Sequence, residues 1–139
     1  MNKQLVQKLV KAYNDYLKDN MIYIVIEVDG MTYNCYDDIK YGDKGISFID
    51  EDGNAVLLEY KYRRQIKINR TMRNQIVKDI IKVSVDEPKV YYVIETKDKS
   101  YNCYEEIACS NDVIRFVDDV NNRIVLEYED ITGIKVTEI

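Results

Sequence analysis

The sequence has no histidine, one proline and five glycines among its 139 residues. Each shortage excludes something. Without histidine the chain lacks the commonest general base and the commonest metal-binding side chain. Its three cysteines have no close partner spacing and no histidine to complete a zinc site. Scarce glycine and proline, beside 46% hydrophobic residues, argue against a disordered chain. No apolar run approaches the length of a membrane span. The first twenty residues are amphipathic and charged, without the apolar stretch of a signal peptide. An odd number of cysteines outside any framework fits reduced, buried thiols, and the expected setting is cytoplasmic. No phosphate-binding loop, nucleophile motif or metal cluster appears. The chain therefore reads as a non-enzyme with no cofactor and no metal.

Positive charge is also short. Lysine and arginine number 20 against 25 acidic residues, a net charge of −5. Residues 1–68 carry 10 basic and 11 acidic side chains, and residues 69–139 carry 10 and 14. A nonspecific nucleic-acid binder is usually basic, so the balance argues against one.

What is present is a repeat. Tyr33-Asn34-Cys35-Tyr36-Asp37-Asp38-Ile39 returns 68 residues later as Tyr101-Asn102-Cys103-Tyr104-Glu105-Glu106-Ile107. The similarity runs without a gap from Ile22–Ile68 to Val90–Val136, with 18 identities in 47 pairs. Gln4–Lys11 is echoed by Gln75–Lys82 at an offset of 71, so three residues are missing between helix and strand in the second copy. A fixed period sets the architecture before any local reading does. Two units follow, residues 1–68 and residues 69–139. Each is about as small as a domain can be and is marginal alone, so the two should pack together about a pseudo-twofold axis. The rival arrangement is one fused core.

Along the chain, Leu5, Val6, Leu9, Val10, Tyr13, Tyr16 and Leu17 recur at helical spacing and predict a helix over residues 2–19. Ile22–Val28 and Met31–Ile39 read as strands joined at Asp29-Gly30, a strong two-residue hairpin signal. Alternation puts Tyr33, Cys35 and Asp37 on one face of the second strand and Asn34, Tyr36 and Asp38 on the other. Ile46–Ile49 and Ala55–Tyr60 are further strands, and Gln65–Ile68 adds a short fifth. The second copy repeats the plan, with Asn69 or Thr71 available to cap its helix and a short last strand at Gly133–Thr137.

The fold class is therefore α+β: two tandem repeats, each an N-terminal helix followed by a four- or five-stranded antiparallel β-meander. In element order each repeat resembles the Sm-like and SH3-like small barrels. Leu126-Glu127-Tyr128-Glu129-Asp130-Ile131-Thr132-Gly133-Ile134 is similar to the way those barrels close. No family signature accompanies the layout, so RNA binding is not carried over from it.

Three features compete as sites. The first is the Tyr-Asn-Cys-Tyr stretch. Tyr33, Asn34 and Tyr36, with Tyr101, Asn102 and Tyr104, could stack a base and read its edge. The simpler reading is that residues kept in both copies fill packing positions that both need. The second is the pair of adjacent carboxylates, Asp37-Asp38 and Glu105-Glu106. Neighbours on a strand point to opposite faces, so neither pair converges on one bond. Asp50-Glu51-Asp52-Gly53-Asn54 likewise reads as a hairpin turn, since a calcium loop would need glutamate where Lys61 stands. The third is a basic run unique to the first copy: Lys61, Tyr62, Arg63, Arg64, Lys67, Arg70 and Arg73. It suits phosphate, or pairing with acidic ends, or solvent alone. Opposite charge at equivalent positions, Lys61–Arg64 against Glu129-Asp130, suits head-to-tail self-association.

Two functions follow. One is a non-enzymatic protein-interaction module acting through an acidic, tyrosine-rich surface, in the manner of phage- or mobile-element-type inhibitor or immunity proteins. The alternative is a small-barrel protein that binds a nucleotide or RNA with its tyrosines and basic run.

Overall fold

The computed structural model describes residues 3–17, 22–61, 64–70, 74–84 and 90–138. It is α+β, with two helices and antiparallel sheets. Helix α1 (Lys3–Leu17) buries the apolar stripe that its sequence spacing marks, with Leu5, Val6, Leu9, Val10 and Tyr13 inside. Helix α2 (Asn74–Ser84) buries Ile76, Val77, Ile80 and Ile81. Lys82 in its last turn suits the negative end of the helix dipole. The two helices pack on each other, and α1 also packs on the first strand. No described helix is long and apolar enough to cross a membrane.

The first strands are β1 (Ile22–Val28) and β2 (Met31–Cys35). Asp29 and Gly30 join them with φ of 50° and 79°, the two positive values a tight hairpin turn needs. The chain then forms a separate three-stranded sheet from β3 (Lys40–Tyr41), β4 (Gly45–Ile49) and β5 (Ala55–Glu59). It returns as β6 (Arg64–Arg70), which pairs with β1 on the side away from β2. After α2 come β7 (Val90–Thr96) and β8 (Ser100–Cys103). A second small sheet follows, built from β9 (Ala108–Cys109), β10 (Val113–Val117) and β11 (Arg123–Glu127). A 3-10 turn over Tyr128–Asp130 leads into β12 (Ile131–Glu138), which pairs with β7.

The main sheet has six strands in the order β2-β1-β6-β12-β7-β8. This corrects the meander and the small-barrel layout. No closed barrel forms among the described residues, because β2 and β8 stop after Cys35 and Cys103. Helix α1 holds the chain away from the sheet at the first of these points. Tyr13 Oη donates to the carbonyls of Cys35 (3.2 Å) and Asp37 (2.9 Å). Asn14 clamps Ile39 from both sides, donating to its carbonyl at 2.8 Å and accepting from its N–H at 2.9 Å. The expected short fifth strands are instead the full-length central pair. Asn69 lies within β6 and so is not a helix cap, and Thr71 lies outside the described residues.

Strand alternation sorts the six strands into two faces. Ile22, Ile24, Ile26, Val28, Ile66, Ile68, Ile94, Ile134 and Val136 are buried on the face that meets the helices. They belong to one core with the apolar sides of α1 and α2 and with Ile46, Phe48, Ile114 and Phe116 of the small sheets. Burying one such isoleucine is worth about 1.5–3 kcal/mol. Because the core is continuous, Ile26→Ala and Ile94→Ala should each cost about 2–5 kcal/mol. Urea unfolding should remain a single transition in both variants. Two separate transitions, one sensitive to each substitution, would contradict the shared core.

Candidate functional site

The other face of the six-stranded sheet carries the candidate site. With Ile22, Ile24, Ile26 and Val28 facing the helices, Tyr23, Val25 and Glu27 must face the opposite way, where they are half-buried. Tyr91, Val93 and Glu95 do the same on β7. The ladder sets one row straight across this face: Asn34, Val25, Lys67, Lys135, Val93, Asn102.

Lys67 and Lys135 oppose each other at the middle of the row, an unfavourable pairing of like charges. Each is offset by a glutamate one strand beyond its neighbour. Lys67 Nζ lies 2.7 Å from Glu95 Oε2, and Lys135 Nζ lies 3.9 Å from Glu27 Oε1. Strand β12 separates Lys67 from Glu95. There Gly133 stands opposite Glu95 and presents no side chain. Gln65 occupies the matching place between Lys135 and Glu27, and that bridge is longer.

Two corners of the face are aromatic. Tyr36 stacks on Tyr23 with centroids 5.0 Å apart, and Tyr104 stacks on Tyr91 at 4.7 Å. Tyr36 and Tyr104 remain 45% and 55% exposed, large for aromatic side chains in a sheet this well buried on its other side. Exposed carboxylates follow the outer ring of each pair in the chain, Asp37 and Asp38 after Tyr36 and Glu105 and Glu106 after Tyr104, and Glu51 and Asp119 lie at the same two corners. The turns of the small sheets bring Glu51 and Asp119 there. Asn34 Nδ2 donates to Glu51 Oε1 at 2.8 Å, and the Glu51 N–H donates to the Asn34 carbonyl at 3.0 Å. Asn102 Nδ2 donates to Asp119 Oδ2 at 3.3 Å. In this way a turn caps part of the exposed edge of β2, which otherwise invites pairing with another chain.

The sequence-derived candidates divide accordingly. Asn34, Tyr36, Asn102, Tyr104 and Lys67 come together on this face. Tyr33 and Tyr101 do not. They point to the helix side and set their ring edges against Phe48 and Phe116 at 6.1 Å and 5.9 Å. Lys61 is paired with Glu59 at 3.1 Å. Arg64 and Arg70 are the end residues of β6. Tyr62, Arg63 and Arg73 lie outside the described residues. Glu129 and Asp130 sit in the 3-10 turn before β12. The calcium-loop resemblance is absorbed by turn chemistry. Asp50 Oδ1 accepts from the N–H groups of Asp52 and Asn54, and Asp118 Oδ1 does the same for Val120 and Asn122.

Sequence reasoning missed Tyr23, Val25, Glu27, Tyr91, Val93, Glu95 and Lys135. The signal was in the repeat. On this face Tyr23/Tyr91, Val25/Val93, Glu27/Glu95, Asn34/Asn102, Tyr36/Tyr104 and Lys67/Lys135 are identical at the offset of 68. The face is not invariant, since Thr32/Ser100 and Gln65/Gly133 differ on it. On the buried face Ile26/Ile94, Tyr33/Tyr101, Cys35/Cys103 and Ile66/Ile134 are identical, and Ile22/Val90, Ile24/Tyr92, Val28/Thr96 and Ile68/Val136 differ. The small sheets supply a control. Their solvent faces differ at Lys40/Ala108, Ser47/Arg115, Ala55/Arg123 and Leu57/Val125 and agree at Glu59/Glu127. Exposure alone therefore does not preserve residues between the two halves. No protein-family model, curated protein or solved structure matches the chain.

The thiols do not belong to the face. Cys35 and Cys103 are buried, and each Sγ donates to a backbone carbonyl, of Asp37 at 3.2 Å and of Glu105 at 3.1 Å. Burial pushes both thiols up from their ordinary range, the opposite of what a nucleophile needs. Cys109 is exposed, which corrects the expectation that all three are buried. At neutral pH a disulfide-exchange reagent should therefore modify one thiol in the folded protein and three in guanidinium. Equal reactivity of all three in the folded protein would contradict the placement of Cys35 and Cys103.

Proposed function

We propose that the chain is a non-enzymatic protein-interaction module that contacts its partner through the open face of the six-stranded sheet. The observation that carries this reading is the retention of that face. Six half-buried or exposed positions of that face are identical at the offset of 68, both members of each tyrosine stack among them, whereas exposed positions of the small sheets such as Lys40/Ala108, Ala55/Arg123 and Leu57/Val125 have drifted. Stability gives weak grounds for such retention. Surface ion pairs contribute about 0–1 kcal/mol, and a stacked aromatic pair about 0.5–1.5 kcal/mol beyond its buried area. Tyrosine is also among the side chains that dominate binding energy at interfaces.

The reading includes two copies of one helix-plus-sheet unit about a pseudo-twofold axis through Lys67 and Lys135. Three observations support it. The sheet order reads the same from either edge once residues 68 apart are equated. In the β6–β12 ladder Ile66 faces Val136, Lys67 faces Lys135 and Ile68 faces Ile134, so Lys67 is paired with its own counterpart. Contacts recur at the same offset, among them Tyr60 Oη to the Gly42 carbonyl and Tyr128 Oη to the Ser110 carbonyl. Three free cysteines fit a reducing, cytoplasmic setting.

Charge favours a protein over a phosphate-bearing ligand. The two lysines of the face are held by glutamates, and exposed carboxylates lie at both tyrosine corners. Catalysis has less support still. Asp37-Asp38 and Glu105-Glu106 follow β2 and β8, on opposite edges of the sheet. Five strand spacings alone separate them by about 24 Å, far beyond the roughly 5–10 Å over which carboxylate pairs act on one bond.

Selection of displayed heptapeptides on the wild-type protein, counter-selected on Tyr36→Ala/Tyr104→Ala, tests the reading. Peptides rich in arginine and aliphatic residues should emerge and bind the double variant at least about tenfold more weakly, as loss of interface anchors implies. A uridine oligonucleotide should not bind at physiological salt. Oligonucleotide binding that depends on the same tyrosines would replace this reading with the nucleic-acid one.

A further inference from the structure

We infer that the partner is itself twofold symmetric and presents one arginine-bearing segment to each tyrosine pair. The inference rests on the protein-binding reading above and adds the symmetry and chemistry of the occupant. Its first support is the placement of the two patches. Tyr23 shares its ladder row with Glu95, through Asn69 and Gly133. Tyr91 shares its row with Glu27, through Thr137 and Gln65. The patch therefore recurs after a half-turn about the sheet normal. Strands β1 and β7 are three spacings apart, and Tyr23 and Tyr91 are displaced by four residues along them. Those offsets are about 14 Å and about 13 Å, so the two pairs stand about 20 Å apart.

The second support is that neither patch has drifted. A monomeric partner would occupy one patch and leave the other unconstrained. The solvent faces of the small sheets show what unconstrained positions do in this chain: Ser47 became or replaced arginine at 115, and Ala55 did so at 123. Both tyrosine pairs are intact. Simultaneous use of both patches accounts for that, because a second contact held at matched spacing raises affinity without new chemistry.

The third support is charge. Each stacked pair stands at a corner of the sheet where the outer tyrosine is followed by two exposed carboxylates in the chain and a third, Glu51 or Asp119, is held by the asparagine of the neighbouring strand. Guanidinium matches both features, since it stacks on tyrosine and pairs with carboxylate through a planar fork. Lysine matches only the charge.

The test uses an alternating arginine–leucine pentapeptide, alone and as a tethered pair. A Gly/Ser linker of about 14 residues has a root-mean-square span of about 20 Å. On the wild-type protein the tethered pair should bind one-to-one and at least about tenfold more tightly than the single peptide. Tyr36→Ala alone and Tyr104→Ala alone should each abolish that gain while leaving single-peptide binding at the intact patch. If either variant unfolds, Asp38→Asn/Glu51→Gln keeps the stack and should give the same loss of gain. Equal affinity of single and tethered peptides overturns the symmetric partner and leaves the protein-binding reading standing. Absence of binding by either peptide overturns the arginine-bearing partner. Loss of single-peptide binding in only one of the two variants overturns the equivalence of the patches.

Discussion

The antiparallel pairing of β6 with β12 is the constraint on which the structure depends. It joins residues that are 64 or more apart in sequence and makes one sheet of two three-stranded halves. On the helix side it sets Ile66 against Val136 and Ile68 against Ile134, which closes the middle of the core. On the open side the same register forces Lys67 against Lys135. That repulsion is offset by Glu95 and Glu27, which reach in from the flanking strands. A one-residue slip would move every side chain of the pair to the wrong face. The central ladder thus fixes the core and the continuity of the open face together.

Packing and surface follow different rules in this chain. Core positions have exchanged volume in compensating pairs. At the helix offset of 71, Tyr13 corresponds to Ser84. At the strand offset of 68, Ile24 corresponds to Tyr92. One half therefore places the tyrosine on its helix and the other on its strand, and the core closes in both. In the second half Ser84 Oγ lies 2.5 Å from Tyr92 Oη and also donates to the Ile80 carbonyl at 2.8 Å. Cores tolerate such volume-conserving changes when pattern and total volume are kept. A solvent-facing patch under no demand should change at least as freely, as the small sheets have. The open face of the main sheet has kept both tyrosine pairs, Val25/Val93, Glu27/Glu95, Asn34/Asn102 and the central lysines, although Gln65/Gly133 and Thr32/Ser100 have changed, and the retention of exposed rings is what the interface proposal draws on.

Local features were legible in the sequence because they rest on local physics. The helical stripe from Leu5 to Tyr13, the Asp29-Gly30 turn, the alternation in Ile22–Val28 and the restart near residue 75 all survive in the structure. Sheet order was not legible. Strand β6 carries only two buried isoleucines among basic and polar residues, and Lys67 makes it read as an exposed edge. A central strand with one open face has that composition, and only its pairing partners reveal its place. The break after Cys35 was equally hidden, because the side chains that bond to the chain there, Tyr13 and Asn14, come from a helix more than twenty residues away. Tyr33 and Tyr36 belong to one motif but to opposite faces, as alternation along the strand implies.

The most direct measurement is the unfolding free energy of Tyr36→Thr/Tyr104→Thr, determined with the wild type by urea denaturation. If the pairs are kept for binding, removing both outer rings should cost no more than about 3 kcal/mol, the sum of two stacking contributions, and unfolding should stay cooperative. A loss beyond about 5 kcal/mol, the scale of a core truncation, would show that the rings hold the fold together and would remove the reason to read the open face as an interface.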